Sequence, residues 1–338
     1  MRQLSKPARL AGVLLCALAL IGSGCWGGVA DRPPPTVAPA GPAVSPIVET
    51  TPAGFIRNFR AGGTAALFDG RTSSLVVLDD NSMTVFRMTS NEDRTIALPR
   101  PGTGLAADAG GYAYISSRGG YFRVNVATGE VLAVTVQGHA DTDFTAIARR
   151  DDGKLVLGSA DGAVYTLGSE TDVAAEVHIF ARVDALVTQG DTTVVLDRGQ
   201  TSLTTIDASG SRAAHALRAG EGATTLAADP LGRVLVADTR GEGLLVFSVD
   251  PLILRQRYPV RQAPYGVAGS RRLAWVSLTA ANVVVGYDLA TGIPVEKVRY
   301  PTVRQPNVLA FDDASGTLYV VSGSGDGLQV IEHAERPQ

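Results

Sequence analysis

Cysteine is almost missing from this chain: there are 2 in 338 residues, Cys16 and Cys25. Both lie in the first 25 residues, so no disulfide framework is available downstream and stability there must come from a core. Histidine is nearly as scarce, with 4 copies. His178, His215 and His333 stand alone in sequence, without the paired spacing of a zinc site. No Gly-x-Ser-x-Gly element falls between a strand and a helix, since Gly323-Ser324-Gly325 sits in a turn between strands. Gly-x-Gly pairs such as Gly241-Glu242-Gly243 also join strands rather than opening a helix, which argues against a phosphate-binding loop. Helix-like periodicity is rare. Against it stand 38 glycines and 45% hydrophobic residues, a composition that points to all-β structure with many turns.

The N-terminus reads as a targeting segment. Arg2, Lys6 and Arg9 form a positive n-region, and Leu10 to Ile21 form an apolar h-region too short to span a bilayer as a helix. Gly22-Ser23-Gly24 precede Cys25 and resemble a bacterial lipobox, although Gly22 replaces the usual leucine. Residues 1–25 are therefore expected to be a lipoprotein signal peptide, with Cys25 as the lipidation site. Plain secretion with a free Cys25 is the alternative. Loss of Arg2, Lys6 and Arg9 takes the net charge from −3 to −6. An exported, mildly acidic domain is a poor nucleic-acid binder.

Residues 26–53 are rich in Pro and Ala, with Pro33, Pro34, Pro35, Pro39, Pro42, Pro46 and Pro52 close together. Such a segment buries too little apolar surface to fold by itself and favours extended polyproline II conformations. It is expected to be a disordered tether that lifts the rest of the chain off a membrane. A docking peptide for a proline-reading partner is the functional alternative.

From residue 54 to 338 the chain is periodic. The clearest unit runs from Thr224 to Pro264: four short apolar and β-branched runs, Thr225 to Ala228, Arg233 to Ala237, Leu244 to Val249 and Leu252 to Tyr258, separated by Asp, Pro and Gly turns. Its first-strand motif recurs from Ala66, Leu105, Ala146, Ala185, Leu226, Gly266 and Leu309. Seven copies at a period of about 40 residues predict a seven-bladed β-propeller as one domain. The last copy stops at Ile331, one strand short, and residues 54–60 form a strand with no blade of its own. An open ring would leave exposed edges, so this N-terminal strand is expected to complete blade seven.

The runs Gly316 to Ser322 and Val284 to Gly292 resemble the YVTN type of propeller repeat, itself similar to WD40 blades. The lipobox, the Pro-rich segment, and the runs Asp143 to Arg150, Val194 to Gln200 and Val260 to Gly266 together resemble the LppL-type conserved lipoproteins of mycobacteria and related actinobacteria. That resemblance implies a lipid-anchored protein of the actinobacterial cell envelope, carrying a palmitate-type anchor and having no established catalytic residues. Quinoprotein dehydrogenases also use propellers, but lean on repeated tryptophans; here only Trp26 and Trp275 occur.

In a propeller, the loops between blades and between second and third strands share one face, and function concentrates on such loops. Reading that face off the repeat gives Arg118, Asp197, Arg198, Asp238, Arg240, Arg261, Gln262, Tyr265 and Asn307 as candidate ligand-binding residues. Arginine forks there would recognise a carboxylate, phosphate or sugar, with aspartate as counter-charge. Alternatively, the aspartates cap their own turns and the arginines are solvated neighbours. His139, Asp141 and Asp143 make the densest cluster with ligand-like donors, but lack the glycine and terminal glutamate of an EF-hand loop. No catalytic residue, cofactor or firm metal site is assigned. The expected protein is a monomer anchored on the extracytoplasmic face of the plasma membrane. Its propeller is a non-catalytic scaffold for an envelope protein or a small polar ligand. The rival reading is a metal-dependent propeller hydrolase or lactonase, similar to the SMP-30 type.

Overall fold

The computed structural model describes residues 34–90, 92–108 and 110–336. The expected signal peptide, Cys25 and the first residues of the Pro-rich segment lie outside the described residues. Among those described there are 28 strands and no helix, arranged as seven four-stranded antiparallel sheets. Each sheet uses four consecutive strands except the last. Blade five matches the unit read from the sequence, with strands Ala223–Ala228, Arg233–Asp238, Gly243–Val249 and Leu252–Pro259 paired in order. The innermost strands are Ala65–Asp69, Gly104–Ala107, Phe144–Arg149, Ala185–Gln189, Ala223–Ala228, Pro264–Gly269 and Pro306–Asp312. Blades three and four are regular too, despite weaker repeats in their sequence.

The ring closes as expected. Phe55–Arg57 pairs antiparallel with Leu328–Ile331, placing Phe55 opposite Val330 and Arg57 opposite Leu328. The strand ends at Arg57, but Phe59 continues the closure through its side chain. It is buried and meets the Phe86 ring edge-on, with centroids 5.6 Å apart.

Seven apolar clusters fill the spaces between neighbouring blades. One seals blade seven to blade one with Phe59, Leu75, Val77, Phe86, Tyr319, Val321, Leu328 and Val330. Another joins blades five and six through Leu235, Val246, Val276, Val285 and Tyr287. These clusters explain why strand two of each blade reads as a continuous apolar run: both of its faces are covered, as in Ser74–Leu78 and Ala274–Leu278, where every residue is buried. Fourth strands lie at the outside and alternate, as in Arg94–Ala97, where only Ile96 is buried.

The tether expectation needs correction from Pro34 onward. Residues 34–53 form no helix or strand, in keeping with their composition, yet they are docked along the propeller rim. Val37 N–H bonds the Gly199 carbonyl, Ser45 is buried, and Ala53 N–H bonds the Pro301 carbonyl. The composition of residues 34–53 limits their apolar burial but not their backbone hydrogen bonding. An extended chain makes no internal hydrogen bonds, so its backbone groups are free to bond side chains elsewhere.

Candidate functional site

The innermost strands enclose a central cavity of about 540 Å³. Small residues such as Ala65, Gly104, Ala146 and Ala185 line it and let seven strands approach a common axis. At one end the lining turns polar, with Thr64, Thr103, Thr145, Asp184, Arg198, Thr225, Tyr265 and Asn307. Several of these tie blade to blade. The Thr103 hydroxyl donates to the Phe144 carbonyl at 2.6 Å, Thr145 to the Val183 carbonyl at 2.5 Å, and Thr225 to the Tyr265 carbonyl. Each of these three hydroxyls, at the start of the first strand of its blade, thereby reaches the start of the next.

Asp197 and Asp238 occupy equivalent places at the ends of second strands in blades four and five, and both are fully buried. Neither carboxylate faces the cavity as a counter-charge. Asp197 accepts from the backbone N–H groups of Ala181 and Gln200 at 2.8 and 2.9 Å. Asp238 accepts from Glu221, Gly222 and Gly241. A Cβ added at Gly220 or Gly241 would come within 1.9 and 2.0 Å of the Asp238 carboxylate. Both glycines therefore make room for that carboxylate, and Gly220 also holds a φ of +73°. The turn-capping alternative describes these two residues.

The arginines beside them are placed differently. Arg198 lines the cavity mouth and donates through Nη2 to the Ala40 carbonyl, while its buried Nε has no hydrogen-bond partner. Arg240 Nη2 donates to the Ala38 carbonyl at 2.6 Å, and Nη1 to the Glu221 carbonyl at 3.2 Å. Tyr265 and Asn307 line the same cavity, and Asn307 Oδ1 accepts from Gln305 Nε2 at 3.0 Å. Arg261 and Gln262 lie exposed on the rim, where Gln262 N–H bonds Glu242 Oε1 at 3.2 Å. Arg118 belongs to another part of the face. Its guanidinium reaches Asp141 at 3.2 Å and Asp143 at 3.3 Å.

That pairing also accounts for the His139 cluster. Asp141 and Asp143 face Arg118, whereas the His139 ring packs edge-on against Tyr165 at 4.6 Å. Among the described residues no group of three or more His, Cys, Asp or Glu side chains converges on one point.

Asp184, absent from the sequence-derived candidates, is the carboxylate nearest the cavity mouth. Burial pushes its carboxyl above the ordinary range. The Arg198 backbone N–H, at 2.8 Å, and the charges of Arg198 and Arg182 pull the other way. Burial likewise raises the Tyr265 hydroxyl. A signal for these positions existed: Thr145, Asp184, Thr225 and Tyr265 each immediately precede a copy of the first-strand motif, so one repeat column delivers the polar mouth.

A pH dependence follows. With a folded-state pKa above the unfolded value, Asp184 holds more proton in the folded chain. Its stabilising contribution is present below the unfolded pKa, about 3.9, and is lost as pH rises through the raised folded value. Relative to the parent, Asp184→Asn should gain stability as pH increases across that window. Urea midpoints at several pH values measure it, and parallel curves for the two proteins would refute the assignment.

This architecture defines a class: a closed, seven-bladed β-propeller with a polar cavity mouth. No family model and no curated protein sequence matches the chain. Solved structures do resemble it. A chain of hydrazine synthase from Kuenenia stuttgartiensis superposes with a TM-score of 0.69 at 12% identity, covering 86% of this chain and all of that one. A chain of a mitotic checkpoint complex gives 0.71 at 13% identity, covering 88% and 99%. U3-55K gives 0.68 at 13% identity, covering 83% and 100%. Likeness at these identities establishes the fold.

Proposed function

We propose that this protein is an exported, lipid-anchored lipoprotein of the LppL type, whose propeller serves as a non-catalytic binding scaffold in the cell envelope. The observation that carries the binding role is the division of labour at the mouth. The buried aspartates hold backbone turns, while Arg198, Arg240 and Gln305 reach outward to bond a segment laid over the rim. Rigid turns that aim donors from several blades at one extended segment suit recognition. A metal-dependent hydrolase or lactonase would call for Asp197, Asp238 and Asn307 as ligands, and the first two are engaged with backbone N–H groups. The anchor reading rests on the n-region, the h-region and Cys25.

Fractionation of cells expressing the full chain tests the anchor. The parent should sediment with membranes and Cys25→Ala should appear in the soluble fraction; a variant that stays membrane-bound would defeat the lipoprotein reading. Thermal melts of the same soluble variant with small carboxylates, phosphates and sugars test the binding role. A saturable upward shift is expected because a ligand bound to the native state stabilises it by mass action. A flat panel would leave a protein partner as the scaffold's ligand.

A further inference from the structure

Three N–H groups and five carbonyls of residues 37–46 hydrogen-bond to the rim, roughly half of the backbone groups available. Five carbonyls accept from side chains of the propeller: Ala38 from Arg240, Ala40 from Arg198, Ala43 from Gln305, Ser45 from Arg304 and Pro46 from Asn282. Ala43 N–H donates to Thr279 Oγ1 at 3.0 Å, and Ser45 N–H to Gln305 Oε1 at 3.1 Å. The donors come from four consecutive blades, four to seven, so the contact is a track around the rim.

From these contacts we infer that the rim of blades four to seven is a receptor for extended, Pro- and Ala-rich peptide, occupied in cis by the chain's own residues 37–46. Three observations carry this. Recognition is of backbone: the segment's side chains are Ala, Pro, Val and one Ser, and the bonds go mainly to carbonyls. Carbonyls are the groups a polyproline II chain presents, since proline lacks an N–H and the conformation has no internal hydrogen bonds. Secondly, there is one side-chain anchor. Ser45 Oγ donates to the Thr279 carbonyl at 2.5 Å and accepts the Gln305 N–H at 3.1 Å, and the residue is only 3% exposed. It sets the register of the peptide.

Thirdly, two of the receptor residues hold an uncommon backbone conformation. Gln305 and Asn282 have φ of +54° and +51°, the left-handed region that non-glycine residues seldom occupy. Gln305 turns both ends of its amide to the segment: Nε2 to the Ala43 carbonyl at 2.8 Å and Oε1 to the Ser45 N–H. At Asn282 this φ belongs to the repeat, since Thr201 and Glu242 share it at the matching turns of blades four and five, whereas Gln305 holds it in the loop entering blade seven.

Arg198 and Arg240 therefore have two roles open to them. While the segment is docked they donate to its carbonyls. When it leaves, two guanidiniums on adjacent blades become available on the rim, that of Arg198 at the cavity mouth. This inference rests on the scaffold reading and names one ligand class for it, a peptide that replaces the cis segment.

The test uses the full-length chain and a fluorescent synthetic peptide with the sequence of residues 34–50, read by anisotropy. In the parent, the cis segment competes at an effective concentration in the mM range, so peptide binding should be weak. Ala43→Pro with Ser45→Ala removes the Thr279 and anchor bonds and should strengthen binding of the peptide at least tenfold. Adding Gln305→Ala to that variant should abolish it, and a peptide carrying alanine at the Ser45 position should bind at least tenfold more weakly. No saturable binding to a variant that melts like the parent overturns the inference. So does equal binding to parent and variant, which would place the peptide elsewhere. Hydrogen exchange on the unmodified chain gives an independent check: the Ala43 and Ser45 amides should be protected, and free exchange there would overturn the docked receptor even if a variant fails to fold. A melt shift with a small polar ligand but no peptide binding would remove the peptide receptor and leave the scaffold reading standing.

Discussion

Asp238→Ala should lower the stability of the propeller by ~3–5 kcal/mol, because it leaves several buried donors without an acceptor at once. The carboxylate is fully buried and accepts from Gly222 N–H at 2.8 Å, Gly241 N–H at 3.0 Å and Glu221 N–H at 3.0 Å. Bonds from backbone N–H to an ionised carboxylate are among the stronger ones. They also connect the loop entering blade five to the loop between its second and third strands, so one side chain organises two turns. At ~2–4 °C per kcal/mol for a chain of this size, the melting temperature should fall by roughly 10 °C. Asp238→Asn keeps the shape but turns an NH₂ towards donors, and should fall between the two. Asp141→Ala is the control, since that side chain is 96% exposed and pairs only with an exposed arginine; its effect should stay within about 0.5 kcal/mol. A thermal melt of Asp238→Ala within 2 °C of the parent would show that the turns hold without the carboxylate.

The larger effect is expected from opening the ring. Removing residues 1–59 takes away the strand that pairs with Leu328–Ile331 and the Phe59 side chain that packs on Phe86. It leaves the third strand of blade seven as an exposed edge beside an uncovered apolar cluster, a template for intermolecular pairing. The truncated protein should lose cooperative unfolding at the parent's temperature and associate in solution. Because the truncation also removes the docked segment, Phe59→Ala in the full chain isolates the closure. It should cost ~3–5 kcal/mol, the usual range for emptying a buried aromatic site. Scanning calorimetry with light scattering reads both variants. A monomeric truncation that melts like the parent would mean that the ring does not depend on this closure.

The fold was largely legible because a repeat protein states its rule many times. The unit from Thr224 to Pro264 places all four strands of blade five to within two residues, since turn residues separate its strand-forming runs. Blade closure was legible for the same reason: a missing strand at one end and a spare one at the other can be counted. The candidate site was legible in composition and not in direction. Asp197 and Arg198 are neighbours in sequence and both belong to the polar face, yet one points into the protein to hold N–H groups and the other lines the cavity. Nothing in the order Asp-Arg indicates which way each turns; the loop geometry of blade four decides it.

The sequence by itself determined the number of blades, the strand order within each, and the seam where the two ends meet, because hydrophobic period and turn chemistry are local properties repeated along the chain. Tertiary structure alone decided that Asp184 stands at the cavity mouth, that Asp197 and Asp238 serve the backbone, and that the Pro-rich segment lies against the rim. Asp197 and Asp238 meet N–H groups from other loops of their own blade, 3 to 17 residues away, and residues 37–46 meet side chains 158 to 262 residues away, as when Gln305 grasps Ala43 and Ser45. An extended chain without internal hydrogen bonds looks unstructured in any window of sequence; its partners become visible only when the ring brings them together.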